Sequence, residues 1–388
     1  MIKLQVSSNE NFVVLGLGRS GMTSARALNA SGANVICWDD DPEKRSLASS
    51  QGLRVIGSVS DFDWESIDRL IISPGVPHQF PLPHPIVSAA VSAGVLIDND
   101  VGLFFQSIAN KSWDKFLVRP RIVAVTGSNG KSTTASLLHH IFLKLGYKSQ
   151  LAGNIGRGVL DIDPPENNEL IVLELSSYQT EVARILSPDL AIFTNFSADH
   201  LERHGGIGGY LAAKRRLFTE GCPDYSIIGV DELAGLNLAQ QLSASIGDES
   251  IIRVSAIKQM RRFDWSIFLD AVYLVEHRKG KQINSTDLKV FDNFVGPHSY
   301  QNAASAYAAC RALGMSPRKI VEAMKGFDGL AHRSQKIAAV NGITFINDSK
   351  ATNVESAMMS LSAYKNIRWI CGGQQKDCLL YTSDAADE

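Results

Sequence analysis

The stretch Thr126-Gly127-Ser128-Asn129-Gly130-Lys131-Ser132-Thr133 decides how this chain is read. It follows an apolar run at 122–125 and precedes a segment in which Leu137, Leu138, Ile141, Phe142 and Leu145 recur at helical spacing, with Gly146 as a stop. Strand, glycine-rich turn and helix in that order bring backbone N–H groups to one point, where they can close on phosphate oxygens. Lys131 adds a point charge, and a Ser132 or Thr133 hydroxyl can hold Mg²⁺. Position 125, five before Gly130, is valine rather than glycine, so the spacing is that of a shorter phosphate loop than the common one. The flanking strand and helix favour a nucleotide over an empty turn, and the stretch predicts ATP binding.

Upstream, the first hundred residues alternate strand-like and helix-like segments, at 12–15, 20–30, 34–38 and onward, which predicts a parallel α/β unit. Gly16-Leu17-Gly18-Arg19-Ser20-Gly21 sits at its first strand-to-helix turn, and Asp39 ends the second strand 23 residues after Gly16. That context suits a diphosphate-containing ligand, although the same glycines also build tight structural turns. A second α/β domain begins after the polar stretch 110–121, with strands at 122–126, 170–175 and 190–195. Helices follow at 300–313 and 317–324, the second capped by Ser316 with Pro317 in its first turn. From Gly329 the pattern restarts with a strand at 343–346, a helix at 353–362 and a strand at 367–371. The expected domains are 1–110, 111–328 and 329–377. Residues 378–388 show neither period and are expected to be a non-native tail on a shortened chain.

Composition narrows the classes. The 388 residues are 45% hydrophobic and 20% charged, as in an ordinary globular protein of two or three domains. With 38 basic and 40 acidic residues the net charge is −2, which gives no electrostatic footprint for nucleic acid. There is no apolar leader in residues 1–11 and no run of eighteen apolar residues, so a cytoplasmic protein without membrane contact is expected. Cys37, Cys222, Cys310, Cys371 and Cys378 form no CxxC pair, which argues against a zinc site or disulfide framework and for buried free thiols.

Glu174 ends the apolar strand of Leu173-Glu174-Leu175-Ser176-Ser177-Tyr178-Gln179, at the sheet edge where open α/β proteins meet their ligands. A carboxylate there can hold Mg²⁺, or be a solvated rim residue. His200 follows the next strand and would emerge at the same edge. Lys214 lies in a basic helix cluster that is more often a solvated face than a site. Asn154 and Asn302 can position ligands through their amides or cap turns. The loops Asn347-Asp348-Ser349-Lys350-Ala351-Thr352-Asn353 and Gly372-Gly373-Gln374-Gln375-Lys376 each follow a strand, as ligand loops or plain connections. No GxSxG elbow is present, and no Ser/His/Asp nucleophile set is evident.

Together these motifs resemble the ATP-dependent Mur ligases from about residue 12 to 376, and Leu-Glu-Leu-Ser-Ser-Tyr-Gln with Asn-Asp-Ser-Lys-Ala-Thr-Asn resembles the D-glutamate-adding branch. The resemblance implies an α/β, three-domain architecture: an N-terminal Rossmann-like domain, a central P-loop ATPase-like parallel-sheet domain and an incomplete C-terminal Rossmann-like domain. It implies that ATP phosphorylates the carboxylate of UDP-N-acetylmuramoyl-L-alanine and that D-glutamate attacks the acyl phosphate, in peptidoglycan precursor synthesis by a monomer. Lys131, Glu174, His200 and Lys214 would be catalytic. Ser132 and Glu174 would serve one Mg²⁺, and Glu174, His200 and a carbamylated Lys214 a second. ATP would meet Gly127, Ser128, Asn129, Gly130, Lys131, Ser132, Thr133, Asn302, Arg333, Asp348 and Lys350. The UDP substrate would meet Gly16, Gly18, Arg19, Ser20, Gly21, Asp39, Ser73, Pro74, Gly75, Asn154 and His200. Ser349, Thr352 and Lys376 would face D-glutamate. Three other readings account for less of the sequence: a nicotinamide oxidoreductase, a related ligase such as folylpolyglutamate synthetase, and a shortened chain that binds nucleotide without turnover.

Overall fold

The computed structural model describes residues 1–109, 116–288, 291 and 296–372. Lys376, Cys378, the expected tail at 378–388 and residues 110–115 of the expected linker lie outside them.

The first unit runs β1 (Asn11–Leu15), α1 (Arg19–Ala30), β2 (Asn34–Trp38), α2 (Pro42–Ser50), β3 (Arg69–Ile72), α3 (Pro85–Ser92), β4 (Leu96–Asp98) and α4 (Asp100–Ala109). Its four strands are parallel in the order β2-β1-β3-β4. Both sheet faces are covered, so the strands read as continuous apolar runs. Val13, Leu15, Leu70 and Ile72 pack with Ile86, Val87 and Ala90 of α3. Phe12, Val14 and Ile71 share the opposite cluster with Ala25 and Leu28 of α1 and Phe104 and Phe105 of α4.

The second unit runs β5 (Arg121–Thr126), α5 (Lys131–Lys144), β6 (Ser149–Gly153), β7 (Leu170–Glu174), α6 (Ser177–Val182), β8 (Leu190–Phe193) and α7 (Ile207–Thr219). It continues through β9 (Tyr225–Gly229), α8 (Leu233–Ile246), β10 (Ile251–Ser255), β11 (Trp265–Asp270), β12 (Tyr273–Arg278), β13 (Lys281–Asp287), α9 (Pro297–Ala312) and α10 (Pro317–Met324). The sheet order is β13-β12-β11-β10-β9-β8-β5-β7-β6. It is parallel from β6 to β11, as expected of the central domain, and β11–β12 and β12–β13 add two antiparallel pairings at one edge. The second hairpin turns at Lys279 and Gly280, both left-handed (φ 48° and 74°), the geometry that matches strand twist in a two-residue connection. From β5 the chain crosses to β6 and returns through β7, while β8 pairs on the other side of β5, so a crevice opens at the carboxyl ends of these strands. Ser316 precedes α10 and Pro317 opens it, but the Ser316 side chain makes no capping hydrogen bond.

The third unit has β14 (Gln335–Val340), β15 (Ile343–Asn347) and α11 (Val354–Ala363). The two strands form an antiparallel hairpin through Asn341-Gly342, both at positive φ, and β15 and α11 stand where the strand at 343–346 and the helix at 353–362 are expected. Residues 367–371, expected as a strand, are irregular, because among the described residues no strand offers their backbone a ladder; Ile370 is almost wholly exposed. Cys37 and Cys310 are buried thiols as expected, whereas Cys222 and Cys371 are exposed. Among the described residues no helix is long and apolar enough to cross a membrane.

The first two units are fastened together. Ile2 N–H donates to Leu160 O (3.1 Å), Arg184 N–H to Asp98 Oδ1 (3.0 Å) and Asn99 Nδ2 to Gln179 O (2.7 Å). Burial pushes the Asp98 carboxyl up to about 6, against the pull of the N–H groups of Arg184 and Asn99. Within the second unit, α9 is held to β12 by a buried carboxylate. Glu276 Oε2 accepts from Tyr307 Oη (2.7 Å) and Arg311 Nε (2.8 Å), while its Oε1 accepts from Trp265 Nε1 (3.3 Å). Removing the cation strands a buried negative charge, so Arg311→Met should cost about 3 kcal/mol in urea unfolding. A loss below roughly 1 kcal/mol would show that neutral donors alone satisfy Glu276.

Candidate active site

The phosphate loop joins β5 to α5 through two glycines that no other residue can replace without moving a neighbour. Gly127 has φ +141°, and a Cβ there would stand 2.0 Å from Thr194 Oγ1. Gly130 has φ +79°, and a Cβ there would stand 2.1 Å from Asn302 Oδ1. Asn302 is buried on α9 and accepts from Thr134 Oγ1 (3.3 Å), so α9 packs against the loop.

Two lysine side-chain nitrogens meet on one carbonyl. Lys131 Nζ donates to Gly127 O (3.0 Å) and to Ser128 O (2.7 Å), and Lys214 Nζ, buried on α7, donates to the same Gly127 O (2.7 Å). Burial lowers the Lys131 ammonium, Glu174 and Asp199 pull it back up, and Arg333 adds to the depression. Lys214 lies well below the ordinary lysine range, first because it is desolvated and then because Lys131 repels it. The face of Tyr210 holds Lys214 Nζ at 4.3 Å, and the Tyr210 hydroxyl meets Ser128 Oγ at 3.2 Å. The lysine that spacing alone read as a solvated face is thus an interior one.

Glu174, at the end of β7, is buried. Its Oε1 accepts from Asn154 Nδ2 (3.0 Å), and its Oε2 is buried without a hydrogen-bond partner among the described residues. A desolvated carboxylate oxygen aimed into a site holding Lys131 is the kind of donor a divalent cation satisfies. The sequence-based metal sets are only partly assembled. Ser132 Oγ accepts from Arg333 Nη2 (3.1 Å), and His200 is exposed with left-handed backbone (φ 52°) beside Asp199. Among the described residues no group of three or more His, Cys, Asp or Glu side chains could hold a metal ion. A cation here would depend on Glu174, hydroxyls, water and phosphate oxygens, a donor set that suits Mg²⁺.

The glycine turn of the first unit reaches this centre through Arg19. Its guanidinium donates to the carbonyls of Asn154 (3.0 Å), Gly156 (3.3 Å) and Gly153 (3.4 Å), tying the glycine turn to the loop that holds Glu174. Gly16 is left-handed (φ +86°), and a Cβ on Gly21 would lie 1.7 Å from Gly16 O. Asp39 accepts the N–H groups of Leu17 (2.6 Å) and Asp41 (2.9 Å), and Ser73 Oγ donates to Gly16 O (2.6 Å). Those groups brace the turn. On the third unit, Asp348 accepts from Ser334 N–H (2.8 Å) and Ser360 Oγ, and it faces His298. Ser349, Lys350 and Thr352 are exposed, and among the described residues no hydrogen bond joins their side chains to the phosphate loop.

Several residues at the site escaped the sequence reading. Asn195 accepts Asn129 N–H through Oδ1 (2.8 Å), and Asn353 and Ser356 reach Asn129 from the third unit. A Ser–His–acid set also exists: Ser177 Oγ meets His204 Nε2 at 2.9 Å, and His204 Nδ1 meets Glu181 Oε1 at 3.2 Å. Ser177 is buried in the first turn of α6, so this set ties the loop after β8 to α6 and exposes no nucleophile. A strand-end asparagine or a serine one helical turn into α11 carries no sequence signal of its own. Only the crossing of chain segments far apart in sequence reveals it.

The model of the Mur ligase middle domain matches residues 125–310. A UDP-N-acetylmuramoylalanine–D-glutamate ligase of Ruegeria pomeroyi is 54% identical over 377 residues, spanning 97% of this chain and 81% of that protein. One from Cereibacter sphaeroides matches with the same identity and coverage. Among solved structures, the UDP-N-acetylmuramate-alanine ligase of Thermotoga maritima shares 20% identity at TM-score 0.52, over 91% of this chain and 77% of that one. The UDP-N-acetylmuramate:L-alanyl-gamma-D-glutamyl-meso-diaminopimelate ligase of Neisseria shares 17% at TM-score 0.53, over 83% and 99%. With an interior lysine pair on a short phosphate loop, a strand-end glutamate beside it and relatives of this identity along nearly its whole length, the chain belongs to the Mur ligase family.

Proposed function

We propose that this chain joins D-glutamate to UDP-N-acetylmuramoyl-L-alanine at the expense of ATP, the ligase step of peptidoglycan precursor synthesis that its relatives are named for, and that the residues around Gly127 carry it. The observation behind the assignment of residues is the convergence of Lys131 and Lys214 on one carbonyl oxygen, with the Glu174 carboxylate alongside. A second positive charge within hydrogen-bond reach of the same atom is unfavourable, which favours the neutral Lys214 amine beside Lys131, and a polyanion relieves the charge that remains.

The chemistry runs in two displacements. A carboxylate oxygen of the UDP substrate attacks the γ-phosphorus of ATP, the bond to the β-bridging oxygen breaks, and ADP leaves. The amine of D-glutamate then attacks the acyl carbon; the C–O bond to phosphate breaks, the amine loses a proton, and an amide remains. Lys131 lies where it can neutralise charge on the transferred phosphoryl group, and the backbone N–H groups of the loop orient it. Glu174 and Ser132 would hold a Mg²⁺, which would supply further neutralisation of phosphate charge. Asn154 and Arg19 link the UDP-side turn to Glu174 and set the carboxylate of the substrate against the phosphate loop. Lys214 suits carbamylation: burial and Lys131 favour its neutral amine, the form that adds CO₂ with release of a proton. Of the expected domains, 1–110 would take the UDP moiety, 111–328 the triphosphate, and 329–377 the amino acid and part of ATP.

Phosphate release by the purified chain with Mg-ATP and UDP-N-acetylmuramoyl-L-alanine tests the reading. Release that requires D-glutamate, with L-glutamate inactive, supports it; release with either isomer or with neither would count against it. Lys131→Ala and Glu174→Ala should each cut the rate by more than about a hundred-fold while UDP-ligand affinity changes little, because neither side chain touches the first unit's turn. A parallel loss of UDP-ligand binding in folded protein would contradict that division. Gly130→Ala forces a Cβ onto Asn302 Oδ1 and should weaken Mg-ATP binding at least about ten-fold in calorimetry, with circular dichroism unchanged. Undiminished binding would mean that α9 can give way.

A further inference from the structure

Asn129 lies in the middle of the phosphate loop, and the protein itself engages every polar group it has. Its N–H donates to Asn195 Oδ1 (2.8 Å), and its carbonyl accepts from Thr194 Oγ1 (2.7 Å). Its Nδ2 donates to Ser197 Oγ (3.2 Å), and its Oδ1 accepts from Ser356 Oγ (2.7 Å) and Asn353 Nδ2 (3.3 Å). The last two donors stand 227 and 224 residues further along the chain, on the third unit. Asn353 also donates to Asp199 Oδ2 (3.4 Å), and its own Oδ1 accepts Ser356 N–H (2.8 Å). A carboxylate can only accept and a backbone N–H can only donate, so these partners fix which way the Asn353 amide points.

We propose that Ser356 and Asn353 are positioning residues that couple the seating of the third unit to the phosphate loop through Asn129. The side chain of Asn129, grouped above with the nucleotide ligands, then serves the contact between units while its backbone stays with the loop. Segments so distant in sequence meet there only when the third unit is seated. Arg333 touches the other end of the loop at Ser132 Oγ, so seating is sensed at two points, of which Asn129 alone has its main chain tied to the strand-end residues Thr194 and Asn195. The kinetic part of this proposal rests on the ligase reading; the coupling itself does not.

The test is amide hydrogen exchange on the full chain without substrates, with Ser356→Ala, Asn129→Ala, the double variant and Ser356→Thr. Ser356→Ala should speed exchange in residues 126–130, and Asn129→Ala should speed it in residues 353–357. The double variant should go no further than the stronger single one, and Ser356→Thr, which keeps the hydroxyl, should restore protection. Turnover with Ser356→Ala should fall about five-fold in kcat, the worth of one hydrogen bond, with KM for ATP nearly unchanged. Faster exchange confined to α11, additive effects in the double variant, or failure of Ser356→Thr to rescue would overturn the coupling. A wild-type chain that does not ligate would count against the proposed function and leave the exchange result to decide the coupling.

Discussion

Everything at the centre of this protein depends on the carbonyl of Gly127, which accepts from two lysine side-chain nitrogens at once. One comes from α5, directly after the loop, and the other from α7, more than eighty residues later. That meeting needs Gly127 in a conformation and space only glycine fits, with Thr194 pressed against it, and it needs β5 and β8 paired side by side. It also needs α7 buried along the face carrying Tyr210, Ala213, Lys214, Leu217 and Phe218. Burial lowers both lysines, Lys214 most and with repulsion from Lys131 added, and Glu174 and Asp199 act on each in the opposite sense. Such an arrangement is preorganised for negative charge.

The other units converge on the same place by polar rather than apolar contacts. Arg19 of α1 spends its guanidinium on three carbonyls of the loop carrying Asn154, and Asn154 in turn holds Glu174 by both backbone and side chain. Directional bonds of this kind fix geometry more than they add stability, which is what the proposed alignment of a carboxylate, a triphosphate and an amine requires. The third unit touches the loop through Arg333, Asn353 and Ser356. Stability lies elsewhere: in the apolar clusters on both faces of the central sheet, and in the buried Glu276 network that fastens α9, the helix bearing Asn302.

The sequence made the first two units legible because their strands are buried on both faces and their turns carry glycines with steric reasons to be there. Gly16, Gly21, Gly127 and Gly130 each stand at positive φ or at an impossible Cβ contact. Glu174 was readable from its place at a strand end. The hairpin pairings β11–β13 and β14–β15 carry no period-two signal, although Lys279-Gly280 and Asn341-Gly342 mark their turns, because β11 and β12 are buried on both faces while β13 and β14 are mostly exposed. Lys214 looked like one member of a basic surface cluster; only the packing of α7 separates it from Arg215 and Arg216. Asn195, Asn353 and Ser356 could not be found from spacing, since their partner is remote and their residue types are common at turns and caps.

Positional isotope exchange in ATP addresses the central claim most directly. ATP carrying heavy oxygen in the bridge between the β- and γ-phosphates would be incubated with the chain, Mg²⁺ and UDP-N-acetylmuramoyl-L-alanine, without any amino acid. If the lysine pair and Glu174 set the substrate carboxylate against the γ-phosphate, the label scrambles into the non-bridging β-positions, and only when the UDP substrate is present. Intact label alongside demonstrated binding of both substrates would contradict the account, because the groups gathered at Gly127 would then hold a nucleotide without transferring its phosphoryl group to a carboxylate.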